Sequence, residues 1–182
     1  MLDLSARRLA PQASAGDWLR TLGPAARFIL QGGAAARAAA SAAFGVTLPD
    51  QACRANSLGT RAALWLGPEE HLLIGTLADT EALAAGLQTA LADVAHSLVD
   101  VSHRQFALEV SGSHASAILN SGCPLDLDIS AFPTDMCTRT LLGKADIVLW
   151  RTGAAEFRVE VWRSFADYVA ASLREAAQDF VA

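Results

Sequence analysis

One pattern of apolar runs, turns and helical stripes occurs twice along this chain, about 80 residues apart. The first copy opens with RFILQGG from Arg27, a short apolar run ending in glycines. AAARAAASAAFG follows, Ala-rich and helix-prone, with Gly45 placed to end the helix in a left-handed conformation. AALWLGPEEHLLIG reads as two strands around Gly67-Pro68. DTEALAAGLQTALADV puts Leu83, Leu87, Leu91 and Val94 on one helical stripe, with Asp79 or Thr80 as N-cap. The second copy runs QFALEVSG as a strand and SHASAILNSG as a short helix between Ser113 and Gly122. TRTLLGKADIVLWR then gives two strands around Gly143-Lys144, and FRVEVWR a further strand. SFADYVAASLREAA closes as a helix, with Phe165, Val169 and Leu173 on one face and Ser164 and Asp167 in capping-box order.

Such a duplication points to an α+β protein of two related small units, each laying helices on one face of an antiparallel sheet. The units span 27–101 and 102–182. Residues 1–26 lack a clear period and read as an extended N-terminal arm, with at most a short helix around Trp18.

The chain can fill two cores: 52% of its 182 residues are hydrophobic and 18% charged. That is more apolar surface than a solitary soluble protein needs, which hints at a partner. A net charge of −5 without a Lys/Arg cluster argues against nucleic acid. No run reaches the roughly 18 uncharged apolar residues of a transmembrane helix. The first residues lack the continuous apolar segment of a secretory signal. Three cysteines, Cys53, Cys123 and Cys137, without C-x-x-C spacing read as reduced thiols of a cytoplasmic protein.

The join between the copies, VDVSHRQFALEVSG, packs Asp100, Ser102, His103 and Arg104 into five residues. These are triad residue types. Period two argues otherwise. Val99 and Val101 are apolar on odd positions; Phe106, Leu108 and Val110 are apolar on even ones. The inward phase flips between them, so the chain must kink or bulge as it passes from one sheet to the next. The polar side chains then serve the freed backbone. A triad needs groups converging from separate parts of a fold, and no G-x-S-x-G elbow is present. No catalytic residue is expected.

Other chemistry is equally thin. Gln31-Gly32-Gly33 stands between a strand and a helix but matches no phosphate-loop motif. His71, His96, His103 and His114 lack metal-ligand spacing, so no metal site is expected. Trp65, Trp150 and Trp162 fall on predicted strands and read as core, though one left exposed would suit a subunit interface.

The run VDVSHRQFALEVSG, followed in order by SGCPLDLD, RTLLGKADIVLWR and FRVEVWRSFADYV, resembles the gamma subunit family of heterotetrameric sarcosine oxidases. The resemblance runs from about Ala62 to the C-terminus; Arg27–Pro49 match loosely, and His71 stands where an aromatic residue is expected. It implies a chain without a redox centre of its own. It implies alpha, beta and delta subunits as partners, which carry the flavin, NAD, folate and zinc of an enzyme that demethylates sarcosine to glycine. DVSHRQFALEVSG is more distantly similar to the aminomethyltransferase, or glycine-cleavage T-protein, folate-binding scaffold. On that likeness Asp146 corresponds to a folate-holding aspartate, but only one of two acids is present and the LLGKA hairpin is short. The resemblance thus implies a non-catalytic assembly subunit. The alternative is a folate-binding module, which requires Asp146 to face a pocket walled by aromatic or Arg side chains.

Overall fold

The computed structural model describes residues 18–180. Ten strands and four helices follow in chain order. They begin with β1 (Leu19–Thr21), β2 (Ala25–Gln31), α1 (Ala34–Phe44), β3 (Ala55–Leu58), β4 (Arg61–Gly67), β5 (Glu70–Thr76) and α2 (Thr80–Leu91). The series repeats with β6 (Ser97–Asp100), β7 (Gln105–Ser111), α3 (Ala115–Asn120), β8 (Cys137–Leu142), β9 (Ala145–Gly153), β10 (Glu156–Trp162) and α4 (Ala166–Ala177). The strands form two antiparallel five-stranded sheets, ordered β3-β4-β5-β2-β6 and β1-β7-β10-β9-β8. The fold is the expected α+β one.

The two repeats exchange their leading strands. Counted by element order, β6 opens the second series, though it lies within 27–101, and it pairs with β2, Ile29 opposite Val99. β1 opens the first repeat but pairs with β7, Leu19 opposite Val110. The expected arm therefore ends as a sheet strand from Leu19, not as a short helix around Trp18; its part before residue 18 lies outside the described residues.

Alternation explains the layers. On β2, Ala26, Phe28 and Leu30 face α1 and α2, meeting Ala36, Ala40 and Phe44 at helical spacing and the Leu83-Leu87-Leu91 stripe. On the second sheet, Leu108, Val110, Phe157 and Val159 face α3 and α4, which supply Ile118, Val169 and Leu173. The opposite faces of the sheets pack on each other through Leu64, Leu72, Ile74, Cys137, Val148 and Trp150. Helices, sheet, sheet and helices make four layers. At one edge the sheets are joined by an isolated bridge, Arg54 to Met136, flanked by Ala55 N–H donating to Asp135 O at 2.8 Å.

Turn chemistry is as the sequence demands at Gly45 and Gly143, whose φ values of +77° and +59° disfavour side chains. The helix starts differ from expectation. Neither Asp79 nor Ser113 makes a side-chain cap bond, and Ser164 and Asp167 form no capping box. Short 3-10 turns, Leu77–Asp79 and Arg163–Phe165, precede α2 and α4 instead and satisfy part of the first-turn backbone. Phe165 sits in that turn and is exposed, while Val169 and Leu173 are buried.

Candidate functional site

The layer between the sheets is not filled along its whole length. At one end it opens into a cleft of about 690 Å³. One wall is a single rung of the second sheet. Leu141 pairs with Asp146, Val161 with Ile147, and Trp162 with Gln105. Leu141, Asp146, Trp162 and Gln105 therefore stand in a row across β8, β9, β10 and β7, all toward the cleft. The other wall, from the first sheet, mixes apolar Ile29, Leu66, Leu72 and Val99 with polar Gln31, Glu70 and Ser97.

Two ion pairs tie the walls together. Deep in the layer, Arg27 of β2 reaches Glu160 of β10. Its Nε donates to Oε2 at 2.7 Å and its Nη2 to Oε1 at 3.2 Å, with both side chains almost fully buried. Arg158 Nε adds a bond to Glu160 Oε1 at 2.8 Å. Nearer solvent, Arg139 of β8 makes a two-pronged pair with Glu70 of β5, Nη1 to Oε2 at 2.9 Å. The hydrogen bond from Arg139 holds the Glu70 carboxyl below the usual carboxylate range, and Glu70 in turn raises the guanidinium.

The turn between the sheets lies beside the buried pair. The chain leaves the first sheet at Asp100 and enters the second at Gln105, so Ser102, His103 and Arg104 span the crossing. Asp100 Oδ1 accepts from Ser102 N–H at 2.8 Å and from Ser102 Oγ at 2.6 Å, an Asx-type turn. Arg27 N–H donates to Ser102 Oγ at 2.9 Å, and Val101 N–H donates to Arg27 O at 2.8 Å. His103 is exposed and takes no part in this network. The polar run thus closes backbone bonds and does not assemble a nucleophile with a base.

Asp146 lines the cleft in the company of Trp162, Arg104 and Arg139. The Arg104 guanidinium lies 5.2 Å from the Trp162 ring centre. The three tryptophans divide: Trp150 is core, Trp65 is half-buried, and Trp162 is 46% exposed. Gln105 Oε1 is buried without a hydrogen-bond partner.

Elsewhere the polar groups serve the fold. Gly32 N–H donates to Glu69 O at 2.9 Å, so that amide joins the hairpin turn. His71 is buried, with Nε2 2.7 Å from Pro49 O, and burial pushes its pKa down. Buried Cys137 has its thiol pushed up to about 12, chiefly by desolvation, and is inert at neutral pH. Arg151 is buried over the Phe157 ring and donates to Ala154 O at 2.6 Å and to Leu127 O. Among the described residues, no group of three or more His, Cys, Asp or Glu side chains is placed to hold a metal ion. No described helix is long and apolar enough to cross a membrane.

Nothing in the sequence pattern singles out Arg27, Glu160, Glu70, Arg139 or Gln105. In FRVEVW the alternation sends Arg158, Glu160 and Trp162 away from Phe157, Val159 and Val161, a face that reads as solvent. The tryptophan on that face was the available signal that something covers it.

Residues 31–179 match the model of the sarcosine oxidase gamma subunit family. The chain belongs to that family. A sarcosine oxidase subunit gamma from Corynebacterium sp. (strain P-1) is 35% identical over 144 residues, which cover 79% of this chain and 70% of the relative. Among solved structures, a heterotetrameric sarcosine oxidase from Corynebacterium sp. U-96, in complex with pyrrole 2-carboxylate, superimposes with a TM-score of 0.85. That match is at 30% identity and covers 92% of this chain and 88% of that one. A glycine cleavage system aminomethyltransferase T from Bartonella henselae shares the fold at a TM-score of 0.66 and 13% identity, covering 90% of this chain and 49% of that one. The family match extends upstream of Ala62 to Gln31, so α1 belongs to it as well.

Proposed function

We propose that this chain is an assembly subunit of a heterotetrameric sarcosine oxidase, packing against the alpha, beta and delta subunits and contributing no reacting group. One observation carries the reading: the triad-like and buried charged residues that a reaction would recruit are engaged in holding two sheets together. Asp100 and Ser102 close the crossing turn, and Arg27 and Glu160 neutralise each other inside the layer. The flavin, nicotinamide, folate and zinc sites belong, on this reading, to the partner subunits, and the complex is cytoplasmic. The test is co-expression of the tagged chain with the larger subunits, followed by purification, a flavin absorbance scan and a sarcosine-dependent peroxide assay. Recovery of flavin-bearing subunits, with activity that collapses when this chain is omitted, is the expected result. Full activity and assembly without it would overturn the proposal.

A second reading, a folate-binding module, is favoured by the position of Asp146 in a cleft walled by Trp162, Arg104 and Arg139. Titration of the isolated chain with tetrahydrofolate, followed by tryptophan fluorescence, tests it. Saturable quenching that Asp146→Asn weakens supports a module; no change at millimolar folate removes it.

A further inference from the structure

Two of the three cysteines meet where the sheets are bridged. The Arg54–Met136 bridge is antiparallel, so Cys53 stands opposite Cys137. Cys137 N–H donates to Cys53 O at 3.1 Å, which holds the two in register. Residues opposed in this way keep their Cα atoms about 4.5–5.5 Å apart, inside the roughly 4.4–6.8 Å that a disulfide spans. The Cys137 side chain also crosses the layer. Its Sγ lies 3.3 Å from Arg54 O and 3.5 Å from Trp65 O, carbonyls that belong to the first unit. The Cys53 thiol is near enough to push the Cys137 pKa up beyond what burial does. Both are free thiols.

The two thiols differ in access, and the difference sets an order of events. Cys53 is half-buried, whereas Cys137 is fully buried and held in its neutral form by desolvation. An oxidant from solvent therefore meets Cys53 first, and Cys137 meets only a sulfur already beside it. Cys53 has a φ of +57°, a left-handed conformation uncommon for a residue with a Cβ, so the turn that presents its thiol is a specified one. Cys123 stands apart. It is buried in the other core, the one that faces α3 and α4, with its Sγ 3.9 Å from Thr140 Oγ1.

We infer that Cys53 and Cys137 form a redox-operated staple, which hydrogen peroxide closes into a disulfide tying the first sheet to the second. Peroxide transfers one oxygen to the Cys53 sulfur: its O–O bond breaks, an S–O bond forms and one water leaves. The Cys137 sulfur then attacks the Cys53 sulfur. The S–S bond forms as the S–O bond breaks, and the hydroxyl leaves with the Cys137 proton as a second water. The two thiols together give up two electrons and two protons, and peroxide is reduced to two waters. The link closes a loop of about 85 residues, which constrains the unfolded chain. It stands independently of the assembly reading. The test treats the folded full-length chain with peroxide, alkylates the remaining thiols in denaturant and maps the peptides after digestion with trypsin and an Asp-specific protease, which together separate Cys123 from Cys137. A Cys53–Cys137 link in most of the chain, with Cys123 alkylated, is the expected result. The melting temperature should rise by roughly 5–10 °C on oxidation and fall back with dithiothreitol. Cys53→Ser should show neither the link nor the rise, and its melt under reducing conditions reports that it folds. No link at a tenfold excess of peroxide overturns the inference. So does Cys53 carried on to sulfinic acid beside a free Cys137 thiol, or a link made through Cys123 or between two chains. A Cys53–Cys137 link that leaves the melting temperature unchanged, or an equal rise in Cys53→Ser, overturns the staple.

Discussion

The two ends of the layer between the sheets are built from the same strands, yet one is core and the other is surface. Along β9, Trp150 and Val148 are buried and Asp146 is exposed. Along β10, Glu160 is 2% exposed and Trp162, two residues on, is 46% exposed. Along β8 the same step runs from buried Cys137 to exposed Leu141. Each pair shares a face, so alternation is not what separates them. What separates them is the cleft. Where the sheets are bridged at Arg54–Met136 the layer is apolar and closed; at its other end it opens into the cleft, whose lining includes polar and aromatic groups. The closed end therefore holds the molecule together, and the open end is free to bind.

The sharpest way to break that contrast is at the pair buried deepest in the layer. Glu160→Ala strips the partner from Arg27 and leaves a guanidinium buried, which should cost about 3–5 kcal/mol in equilibrium unfolding. A loss below 1 kcal/mol would mean that water reaches Arg27 and that the layer is not closed there. Ser102→Ala removes the acceptor of the Arg27 N–H and loosens the crossing turn, with an expected loss of roughly 1–2 kcal/mol by urea titration.

At the open end the same kind of pair should matter little. Arg139→Ala is expected to lower stability by about 1 kcal/mol or less at neutral pH, because the guanidinium is half exposed and screened. Its signature is in acid. Glu70 is held below its ordinary pKa by Arg139, so the folded form binds its proton later than the unfolded form. The stabilisation is present above the unfolded carboxylate value, about 4.3, and disappears as pH falls through the lower folded value. Melting temperatures of the wild type should therefore drop more steeply below pH 4.5 than those of Arg139→Ala. The smallest effect belongs to Asp146→Asn, within about 0.5 kcal/mol of wild type in the same titration. A larger loss would make Asp146 a structural residue and undo its place in a binding surface.

Much of the fold is readable from residue order. Period two in RFIL and FRVEVW, the leucine stripe of α2, and glycines at 45 and 143 give strands, helices and turns at the observed places. Phase alone sets a flip between Val101 and Phe106, and the chain changes sheets between Asp100 and Gln105. What sequence hides is long-range. β1 has three residues and no period of its own; its strand character comes from β7, far along the chain. The second faces of both sheets carry charges, and a charge every other residue reads as solvent until Arg27 is seen to meet Glu160. Helix caps fail for a local reason: preceding 3-10 turns take the place of the side-chain bonds that Ser164 and Asp167 promise.

The reciprocal exchange of β1 and β6 fixes when this protein can become itself. Leu19 to Thr21 leave the ribosome early and must wait about 90 residues for the strand they pair with, a loop whose closure is entropically expensive and slow. The first sheet is likewise unfinished until β6, its edge strand at Ser97–Asp100, has been made. Severing the chain between α2 and β6 would therefore leave each part with a vacant sheet edge. Mutual dependence of this kind ties the two sheets to each other through strands that lie far apart in the chain.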